Sequence, residues 1–544
     1  MNNHLNTQNP NQLEYTNKLL KIAVLGGIRL DGLDRMRVTV KIQATEVDSV
    51  AVRHNLDLYN DTQVEKLIRK TATKLEIGTS VIEASINELI ETLEKYRLEQ
   101  LESKDESPKS KVLTEKEKSE ALTFLQTGKS HANSVVGEVN LLTTTNELIG
   151  QSGIIGEETN RLIMYLIFSS RKREQPLHII SLGSSGTGKT HLQESIGNLI
   201  PEEEKIEITT LSENAFYYFG QQELKHKLIL IEDLDGAEGA LYPIRELQSK
   251  KKISKTIAFK NTKGETKTTS ITVEGPVCVS GCTTKESVYE DNANRSFLIY
   301  LDESTAQDDK IMNYQKLVSA NKINIEEQLK AKSLLLNSQY LLKQIKVINP
   351  FAELVELPAA VLKPRRTNAH YLQFIELITY YHQHQRATKY DEQTGEEYIE
   401  TTIEDIKNAN TLIKEILIRK ADILTGKSRN QIEAFKTILQ NKSELFTNAQ
   451  IRSTLKIAKS TAQYHLNTWL DAGLIIKIHD KENQTYNYQF INDTEYKTLE
   501  NKIDDVLKNI ITNIENRTSE QNRTATQIRS VKPKATKEKT QPNE

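Results

Sequence analysis

The sequence has very few cysteines and lacks any long apolar run. Cys278 and Cys282 are the only cysteines among 544 residues, and they lie in one short segment. This excludes a disulfide framework and a cysteine-ligated structural zinc site. No apolar run approaches the length that spans a membrane, and the first ten residues lack the basic and apolar regions of a secretory signal. We therefore expect a cytoplasmic protein with no membrane partner.

The sequence also has no large excess of positive or of negative charge. The 72 Lys and Arg residues nearly balance the 74 Asp and Glu residues, which gives a formal net charge of −2. Lys and Arg cluster in residues 245–267 and again in the C-terminal tail. The overall balance therefore neither requires nor excludes a nucleic-acid partner. A hydrophobic content of 37% suffices for the cores of several domains in a chain of this length.

The pattern of apolar and charged residues predicts an α/β protein of several parts. Strand-like runs followed by helical patterns indicate a small α+β domain at the N-terminus, and alternating strands and helices in the middle of the chain indicate an α/β sheet. The predicted parts are an N-terminal α+β domain (1–104), a charged linker (105–139), an ATPase core (140–304), a helical lid (305–429), a winged helix (430–495), and a helix with a disordered basic tail (496–544). An exposed helix is the alternative to the linker.

A complete GxxxxGK[ST] motif lies at residues 183–190, between the apolar run Leu177–Leu182 and a helical pattern. In this context the backbone N–H groups of the loop surround a phosphate, Lys189 reaches the β- and γ-oxygens, and the Thr190 hydroxyl joins the Mg²⁺ shell. The sequence therefore predicts ATP and Mg²⁺ as cofactors. The predicted nucleotide-binding residues are Gly183, Ser184, Ser185, Gly186, Thr187, Gly188, Lys189 and Thr190.

A second apolar run, Leu228–Ile231, ends in Glu232 and Asp233. Acids at the end of such a strand hold Mg²⁺ and polarise the attacking water. Position gives the metal role to Glu232 and the role of base to Asp233, but the order of the two acids also leaves the opposite assignment open. Asp235 is a further candidate. An ordinary strand that ends in a solvated acidic turn is the alternative.

A third apolar run, residues 275–284, ends in Thr283 and Thr284. The chain here resembles the AAA+ ATPases, in which such a strand ends in the sensor 1 residue; the resemblance implies this role for Thr284, or for Thr283. It also implies that Arg295 is an arginine finger that completes the site of a neighbouring subunit. Such a finger implies a homo-oligomer, often a ring, such as a hexamer. A surface arginine that caps a helix or pairs with Asp302 is the alternative.

Pro364–Asn368 opens a helical pattern and resembles the sensor 2 segment of the same ATPases. The candidates are Arg365 and Arg366, of which Arg366 is the preferred nucleotide-binding residue. Solvated arginines at the start of a helix are the alternative.

Two β-favouring arms between residues 247 and 273 surround a turn rich in Asn, Lys and Gly, which predicts a hairpin. A hairpin just before sensor 1 resembles that of the minichromosome-maintenance (MCM) and superfamily 3 helicases, where its tip grips nucleic-acid phosphates. The resemblance implies DNA-binding roles for Lys260, Lys263 and Lys267. An exposed sheet edge is the alternative.

The pattern between residues 447 and 490 is helix, turn, helix and two strands, which is typical of a winged helix. Ala462, Leu466, Trp469 and Leu470 are predicted to face the core. The residues left for the DNA groove are Lys459, Ser460, Thr461, Gln463, Tyr464 and Asn467, of which Lys459, Gln463 and Asn467 are the preferred DNA contacts. A winged helix that binds only protein is the alternative.

Taken together, residues 140–495 resemble the MCM-like arrangement. The local sequence of several segments, such as Ser212–Tyr218 and Ile231–Gly236, is similar to that of the helicase half of bacterial mobile-element primase–helicases. The resemblance implies an oligomeric ATPase that acts on DNA, namely a helicase in replication of a mobile genetic element. Because the chain lacks the cysteines of a zinc-ribbon primase, priming would require a separate primase or replication initiator. A non-translocating helicase loader or origin-binding ATPase, and an ATP-dependent transcription regulator, are the alternatives.

Overall fold

The structure, a computed structural model, consists of two compact units, Met1–Lys111 and Val112–Glu544. It describes the whole chain except fifteen short stretches. These are residues 1–4, 8–11, 18, 29–35, 46–49, 106–111, 130–139, 210–213, 261–265, 286–294, 358–363, 440–444, 481–484, 492–493 and 531–544.

The first unit is a five-stranded antiparallel sheet with two helices, of which the sequence patterns predict the last three strands and both helices. Its elements are β1 (Leu5–Asn6), β2 (Gln12–Thr16), β3 (Leu20–Leu25), β4 (Arg37–Ala44), β5 (Val52–Asp57), α1 (Asp61–Leu75) and α2 (Thr79–Asp105). Alternate residues of β4, among them Val38, Val40 and Ile42, are buried, because the period of two turns them all to one face. Leu67 of α1 and Ile86 of α2 pack into the same core.

The second unit begins with three helices and continues into the central sheet. Its elements up to the end of that sheet are α3 (Glu115–Thr127), α4 (Leu141–Gln151), α5 (Glu158–Ser169), β6 (Ile179–Leu182), α6 (Lys189–Gly197), β7 (Lys205–Ile208), β8 (Lys227–Ile231), α7 (Leu241–Lys250), β9 (Lys252–Lys260), β10 (Thr266–Glu274), β11 (Val277–Thr283) and β12 (Phe297–Tyr300).

The central sheet is parallel, with strand order β12-β6-β11-β8-β7. All residues of β6 and β11 are buried, because apolar side chains cover both faces of the sheet. The register aligns Leu182 with Thr283 and with Tyr300, and Ile231 with Gly281. The carboxyl ends of these strands therefore meet at one edge, which the candidate site occupies. The predicted fold class, an α/β sheet of the P-loop ATPase type beside a small N-terminal α+β unit, is confirmed.

Helix α3 lies where the sequence predicts a charged linker. Thr114 and Glu117 form a capping box at its start, and Ala121, Phe124 and Leu125 are buried. Phe124 and Leu125 belong to the main core of the second unit. This is the exposed helix that the charged pattern leaves open as the alternative to a linker, and three apolar residues at helical spacing suffice to fix it.

The remainder of the second unit is mostly helical. Its elements are α8 (Thr305–Ser319), α9 (Ile325–Leu341), β13 (Lys346–Ile348), α10 (Pro364–Tyr381), β14 (Lys389–Tyr390), β15 (Glu397–Glu400), α11 (Ile403–Ala421), α12 (Gly426–Ile438), α13 (Asn448–Leu455), α14 (Lys459–Asp471), β16 (Ile475–Asp480), β17 (Thr485–Phe490) and α15 (Glu495–Ser530). The three short strands β13, β14 and β15 form a small sheet inside the region predicted to be an almost purely helical lid.

Helices α12 to α14 and the hairpin β16–β17 share a separate core, hereafter the C-terminal unit (426–490). Ile432, Phe435, Leu466 and Trp469 are among its buried residues, and the Trp469 indole N–H donates to Ser428 Oγ at 3.0 Å. Helix α15 then returns to the main core.

Helix α15 buries Ile503, Leu507, Ile510 and Ile514 in the main core of the second unit. It continues to Ser530, so the helix includes part of the predicted disordered tail. Among the helices in the described part of the chain, none combines the length and the apolar character needed to cross a membrane.

Candidate functional site

A cleft of about 480 Å³ lies at the carboxyl edge of the central sheet. The loop after β6, the turn after β8 and the end of β11 form its walls. The lining residues are Ser185, Gly186, Gly188, Lys189, Thr190, His191, Glu232, Asp233, Asp235, Cys282, Thr283 and Thr284. Residues from three predicted motifs therefore lie together in one cleft.

The loop after β6 has the backbone of a phosphate-binding loop. Gly186 and Gly188 have φ values of +85° and +89°, in the left-handed region that a side chain would strain. Gly188 is the N-cap of α6, which begins at Lys189. The unpaired N–H groups and the positive end of the helix dipole therefore face the cleft, where they favour an anion.

Lys189 is held against the loop that precedes it. Its side chain is largely buried, and Nζ donates to the carbonyl oxygens of Gly183 and Ser184 at 2.9 and 2.6 Å. The Thr187 hydroxyl also donates to Ser184 O, at 3.0 Å. These contacts fix the ammonium group beside the loop, where it can neutralise phosphate charge.

The acids after β8 are exposed on the opposite wall of the cleft. Glu232 and Asp233 directly follow the strand, and Asp233 Oδ1 accepts a hydrogen bond from the backbone N–H of Asp235 at 2.9 Å. The described residues contain no group of three His, Cys, Asp or Glu side chains that could enclose a metal ion. Thr190 and Glu232 nevertheless line the same cleft, and a hydroxyl with a carboxylate suits Mg²⁺, which usually keeps several waters and completes its shell with substrate phosphates.

Asp235 binds both of the predicted sensor residues, Thr283 and Thr284, hereafter the sensor threonines. The Thr283 hydroxyl donates to Asp235 Oδ1 at 2.7 Å, and the Thr284 hydroxyl donates to Oδ2 at 3.1 Å. Burial raises the pKa of Asp235, but the hydrogen bonds from the sensor threonines outweigh this effect, so the net pKa is lowered. The ionised carboxylate therefore fixes the two hydroxyls at the floor of the cleft.

Glu303 also contacts the phosphate-binding loop, a feature that the sequence motifs do not predict. Its Oε1 accepts from the backbone N–H of Ser184 at 2.7 Å, and its Oε2 accepts from the Ser184 hydroxyl at 3.3 Å. The two residues are 119 positions apart. Only the pairing of β12 with β6 brings them together, so no local pattern could have revealed the contact.

The predicted arginine finger and sensor 2 residues lie outside the cleft. Arg295 precedes β12, and its Nε donates to Ser249 Oγ at 2.8 Å. Arg365 and Arg366 are exposed in the first turn of α10. One turn after Arg366, His370 stacks on Phe297, with 5.4 Å between ring centroids. Phe297 is the first residue of β12, so these arginines are near the end of the strand that is remote from the cleft.

The hairpin β9–β10 has two arms of nine residues each, paired from Lys252 with Glu274 to Lys260 with Thr266. Because α7 extends to Lys250, the first arm begins later than the sequence pattern suggests. Lys260 and Lys267 lie at the far end of the arms, and Lys263 lies outside the described residues. Their roles in DNA binding stay predictions.

Helix α14 presents a polar face to solvent. Lys459, Gln463 and Asn467 are exposed, and Gln463 Nε2 donates to Asn467 Oδ1 at 3.0 Å. Tyr464 on the same helix is 60% exposed. Ala462, Leu466 and Trp469 are buried and Leu470 is partly buried, which follows the division predicted from the sequence. Whether this face binds DNA stays a prediction.

Comparison with known proteins identifies one family match and several distant structural similarities. Residues 118–340 match the family described as the MTBMA_p00010 P-loop domain. This range includes the phosphate-binding loop, the acids after β8, the hairpin and the sensor threonines, but it covers less than half of the chain. No curated protein matches the sequence.

For two of the similar solved structures, the alignment with this chain extends over most of the solved chain. The ORC1 protein of Aeropyrum pernix in complex with DNA is 10% identical, covers 64% of this chain and 91% of its own, and has a TM-score of 0.20. The SCCmec type IV Cch active helicase is 10% identical, covers 92% of this chain and 99% of its own, and has a TM-score of 0.23. Similarity at these TM-scores supports no inference about this chain.

Proposed function

We propose that the protein is an oligomeric, Mg²⁺-dependent ATPase that acts on DNA as a helicase in replication of a mobile genetic element. One observation carries the ATPase part of the proposal. Lys189, the acids Glu232 and Asp233, and the sensor threonines line the same cleft at the carboxyl edge of a parallel sheet. The match of residues 118–340 to a P-loop domain family supports it.

In this proposal the residues of the cleft have different roles in ATP hydrolysis. The N–H groups of residues 185–189 and the Lys189 ammonium bind the phosphates, and Thr190 and Glu232 would hold Mg²⁺, which would supply further neutralisation of phosphate charge. Asp233 orients and polarises the attacking water. The sensor threonines border the γ-phosphate in the position that Asp235 gives them, and because each hydroxyl has one proton, donation to a phosphate oxygen would replace its hydrogen bond to Asp235.

The charge balance of the cleft supports a homo-oligomer. Among the described lining residues, Lys189 is the only Lys or Arg, whereas Glu232, Asp233 and Asp235 are acidic. A triphosphate therefore needs further cations. Arg295 and Arg366 lie at the other end of β12, where they would complete the cleft of a neighbouring copy in a ring, such as a hexamer. The ring supports the helicase role, because it encloses a pore.

Two further elements support DNA as the partner. The β9–β10 hairpin would grip phosphates with Lys260, Lys263 and Lys267. The C-terminal unit has the element order of a winged helix, and its helix α14 would enter the major groove with Lys459, Gln463 and Asn467. In the mobile-element setting, a separate primase or replication initiator would be a partner.

The amide side chains on α14 favour one second candidate, an origin-binding ATPase that loads a helicase. Gln463 and Asn467 are exposed and aligned by their mutual hydrogen bond. Amide groups bind base edges in the major groove. A loader must bind a specific duplex sequence at an origin, whereas a translocating motor must move along any sequence.

The decisive experiment combines two assays on the purified protein. We expect ATP hydrolysis that single-stranded DNA stimulates, and ATP-dependent unwinding of a forked duplex. The Lys189→Ala variant should bind the fork but neither hydrolyse ATP nor unwind. Hydrolysis without unwinding would replace the helicase with the loader, and the absence of hydrolysis in the intact protein would refute the ATPase itself.

A further inference from the structure

The contact between Glu303 and Ser184 has no role in the hydrolysis scheme above. Both carboxylate oxygens of Glu303 accept hydrogen bonds from Ser184, one from the backbone and one from the hydroxyl. A carboxylate beside the phosphate-binding loop is unfavourable to a triphosphate, because the two are negatively charged. Glu303 must therefore make a favourable contribution that outweighs this electrostatic repulsion.

The segment that carries Glu303 is fixed on both sides. Leu301 N donates to Leu182 O at 3.2 Å, and Asp302 N donates to Glu157 Oε1 at 2.7 Å. Ser304 caps α8 through its hydroxyl, which accepts from Gln307 N at 3.3 Å. Glu303 thus lies on a strand extension that is tied to its neighbours on both sides, so a change at Glu303 is passed along the segment. We call residues Tyr300–Glu303 the brace.

The other end of the brace packs against the first helix of the C-terminal unit. Gly426 begins α12, and any Cβ at this position would overlap the Tyr300 ring. On the same ring, the Arg419 guanidinium lies 5.2 Å from the centroid, and it donates to Asn430 Oδ1 of α12 at 3.0 Å. The Tyr300 ring is therefore held between the end of α11 and the start of α12.

Helix α12 is an integral part of the C-terminal unit. Its Ile432 and Phe435 share a core with Leu466 and Trp469 of α14. Ser428, also on α12, accepts from the Trp469 indole N–H. A displacement of Tyr300 would therefore be passed by close packing to the helix that carries the exposed polar face.

We propose that Glu303 is a positioning residue that couples nucleotide binding in the cleft to DNA binding by the C-terminal unit, through Tyr300 and Gly426. The inference rests on the proposed function. Triphosphate charge disfavours the Ser184–Glu303 contact, so the brace has one preferred position without nucleotide and another with it. Because α12 packs on the brace, duplex affinity follows the state of the cleft.

Linkage makes this inference quantitative. If ATP changes the affinity for duplex DNA by some factor, duplex DNA must change the affinity for ATP by the same factor. Both affinities can be measured on the full-length protein, with a non-hydrolysable ATP analogue and a short blunt duplex, each in the absence and presence of the other ligand. We expect the two factors to agree and to be about fivefold or more.

Variants of Glu303 separate positioning from charge. Glu303→Ala should bring both factors close to one, because duplex affinity without nucleotide should move to the value that the intact protein shows with the analogue bound. Glu303→Gln keeps an acceptor for the Ser184 N–H but loses the repulsion, so it should bind the analogue more tightly than the intact protein and still lose coupling. Glu326→Gln is the matched control, because Glu326 is an exposed carboxylate on α9 paired with Lys330; it should keep full coupling.

The Gly426→Ala variant tests the far end of the same route. It should reduce coupling without changing the affinity for the analogue alone, and combining it with Glu303→Ala should cause no further loss. A melting curve confirms that each variant folds. If the intact protein binds both ligands independently, the inference is wrong and the ATPase proposal stands. Coupling that survives in Glu303→Ala also refutes it, whereas failure to bind the analogue refutes the proposed function.

Discussion

Asp235 accepts a hydrogen bond from each of the two sensor threonines. A single substitution of Asp235 therefore tests whether these two hydrogen bonds matter for catalysis. Replacement by Asn leaves one acceptor and puts an N–H₂ group where the second hydroxyl now donates. We expect Asp235→Asn to lower kcat about 10- to 100-fold with little change in KM for ATP, because hydrogen bonds to a charged group contribute about 1.5–3 kcal/mol. Steady-state kinetics measure this split. A rise in KM with unchanged kcat would contradict a role in fixing the sensor threonines.

The acids after β8 have distinguishable roles. If Asp233 polarises water, Asp233→Asn should bind ATP and retain it without hydrolysis. If Glu232 holds the metal, Glu232→Gln should need a higher Mg²⁺ concentration for half-maximal activity. Filter binding of ATP and a Mg²⁺ titration give the two readouts. The reverse pattern would show that the pair has exchanged roles.

His178 allows a prediction about pH. Burial lowers the pKa of this histidine from its ordinary value of 6.5 to about 3, and its Nδ1 accepts from Val279 N at 3.3 Å. The neutral ring therefore stabilises the folded state fully above pH 6.5, and this contribution is lost as the pH falls toward 3. Between about pH 7 and pH 5 the loss from this group is about 2 kcal/mol.

Urea denaturation across that pH range measures the effect. His178→Gln should flatten the dependence of the free energy of unfolding on pH, because the amide does not titrate. His479→Gln, which replaces an exposed histidine, should leave the dependence as it is. An equal slope in His178→Gln and the intact protein would show that His178 is not the group responsible.

At the residue scale, the sequence predicts the contacts that are local and misses those that are not. Lys189, Thr190 and the two acids are found because their motifs are contiguous. Asp235 is noticed only as a spare acid, since its partners are 48 and 49 positions away. Glu303 is missed entirely. These contacts follow from strand register, which a pattern of single residues does not encode.

At the scale of elements, the hairpin and helix α14 should fail in different ways when mutated. Lys260→Ala with Lys263→Ala should lose DNA stimulation of ATP hydrolysis on any sequence, because phosphate contacts carry no sequence information. Gln463→Ala with Asn467→Ala should keep unwinding of an artificial fork and lose only preference for a cognate duplex.

Fork unwinding and competition between duplexes of different sequence measure the two effects. The exposed Lys330→Ala change on α9 is a control for loss of a positive charge remote from both elements. Unwinding at the normal rate in the double-lysine variant would remove the hairpin from the proposed motor.

Which elements could be predicted depends on how many apolar residues they bury. The strands of the central sheet are continuous apolar runs and are found directly. Helix α3 is left undecided between helix and linker, because only Ala121, Phe124 and Leu125 anchor it among charged residues. The strands β13 to β15 have two to four residues each, too few for a period to show. Helix α15 is longer than expected: it continues past Ile514, a residue of the main core, to Ser530.

At the scale of the whole molecule, the oligomer proposal predicts complementation between inactive variants. Arg295→Ala should bind ATP but not hydrolyse it, and Lys189→Ala has an intact arginine. Mixing the two should therefore restore part of the activity, because some clefts receive a functional arginine from a neighbour. ATP hydrolysis at several mixing ratios, with sedimentation to give the size of the assembly, measures this. A monomer without rescue at any ratio would contradict the ring.

The N-terminal unit has a core of its own, which predicts independent folding. Residues such as Leu13, Ile22, Leu67 and Ile86 pack with one another within Met1–Lys111. We expect a fragment of residues 1–111 to unfold cooperatively on heating, and Leu67→Ala to destabilise it by about 2–5 kcal/mol. Circular dichroism measures both. A broad, non-cooperative transition in the unaltered fragment would show that this unit needs the rest of the chain.

Helices α11 and α15 give the C-terminal unit two attachments instead of one. The chain enters the unit from α11 and leaves it through α15, and the two helices run antiparallel, with Lys414 paired to Asp504 at 2.8 Å and Asn410 Nδ2 donating to Leu507 O at 3.1 Å. Tension on the unit from a bound strand therefore pulls both helices along their axes. Many side-chain contacts of the two helices are then loaded at the same time in shear and together resist the pulling force. With a single connection, the contacts would break one after another. In optical tweezers, the unit should detach at a higher force when both connections are intact than when the chain is cut between residues 490 and 495.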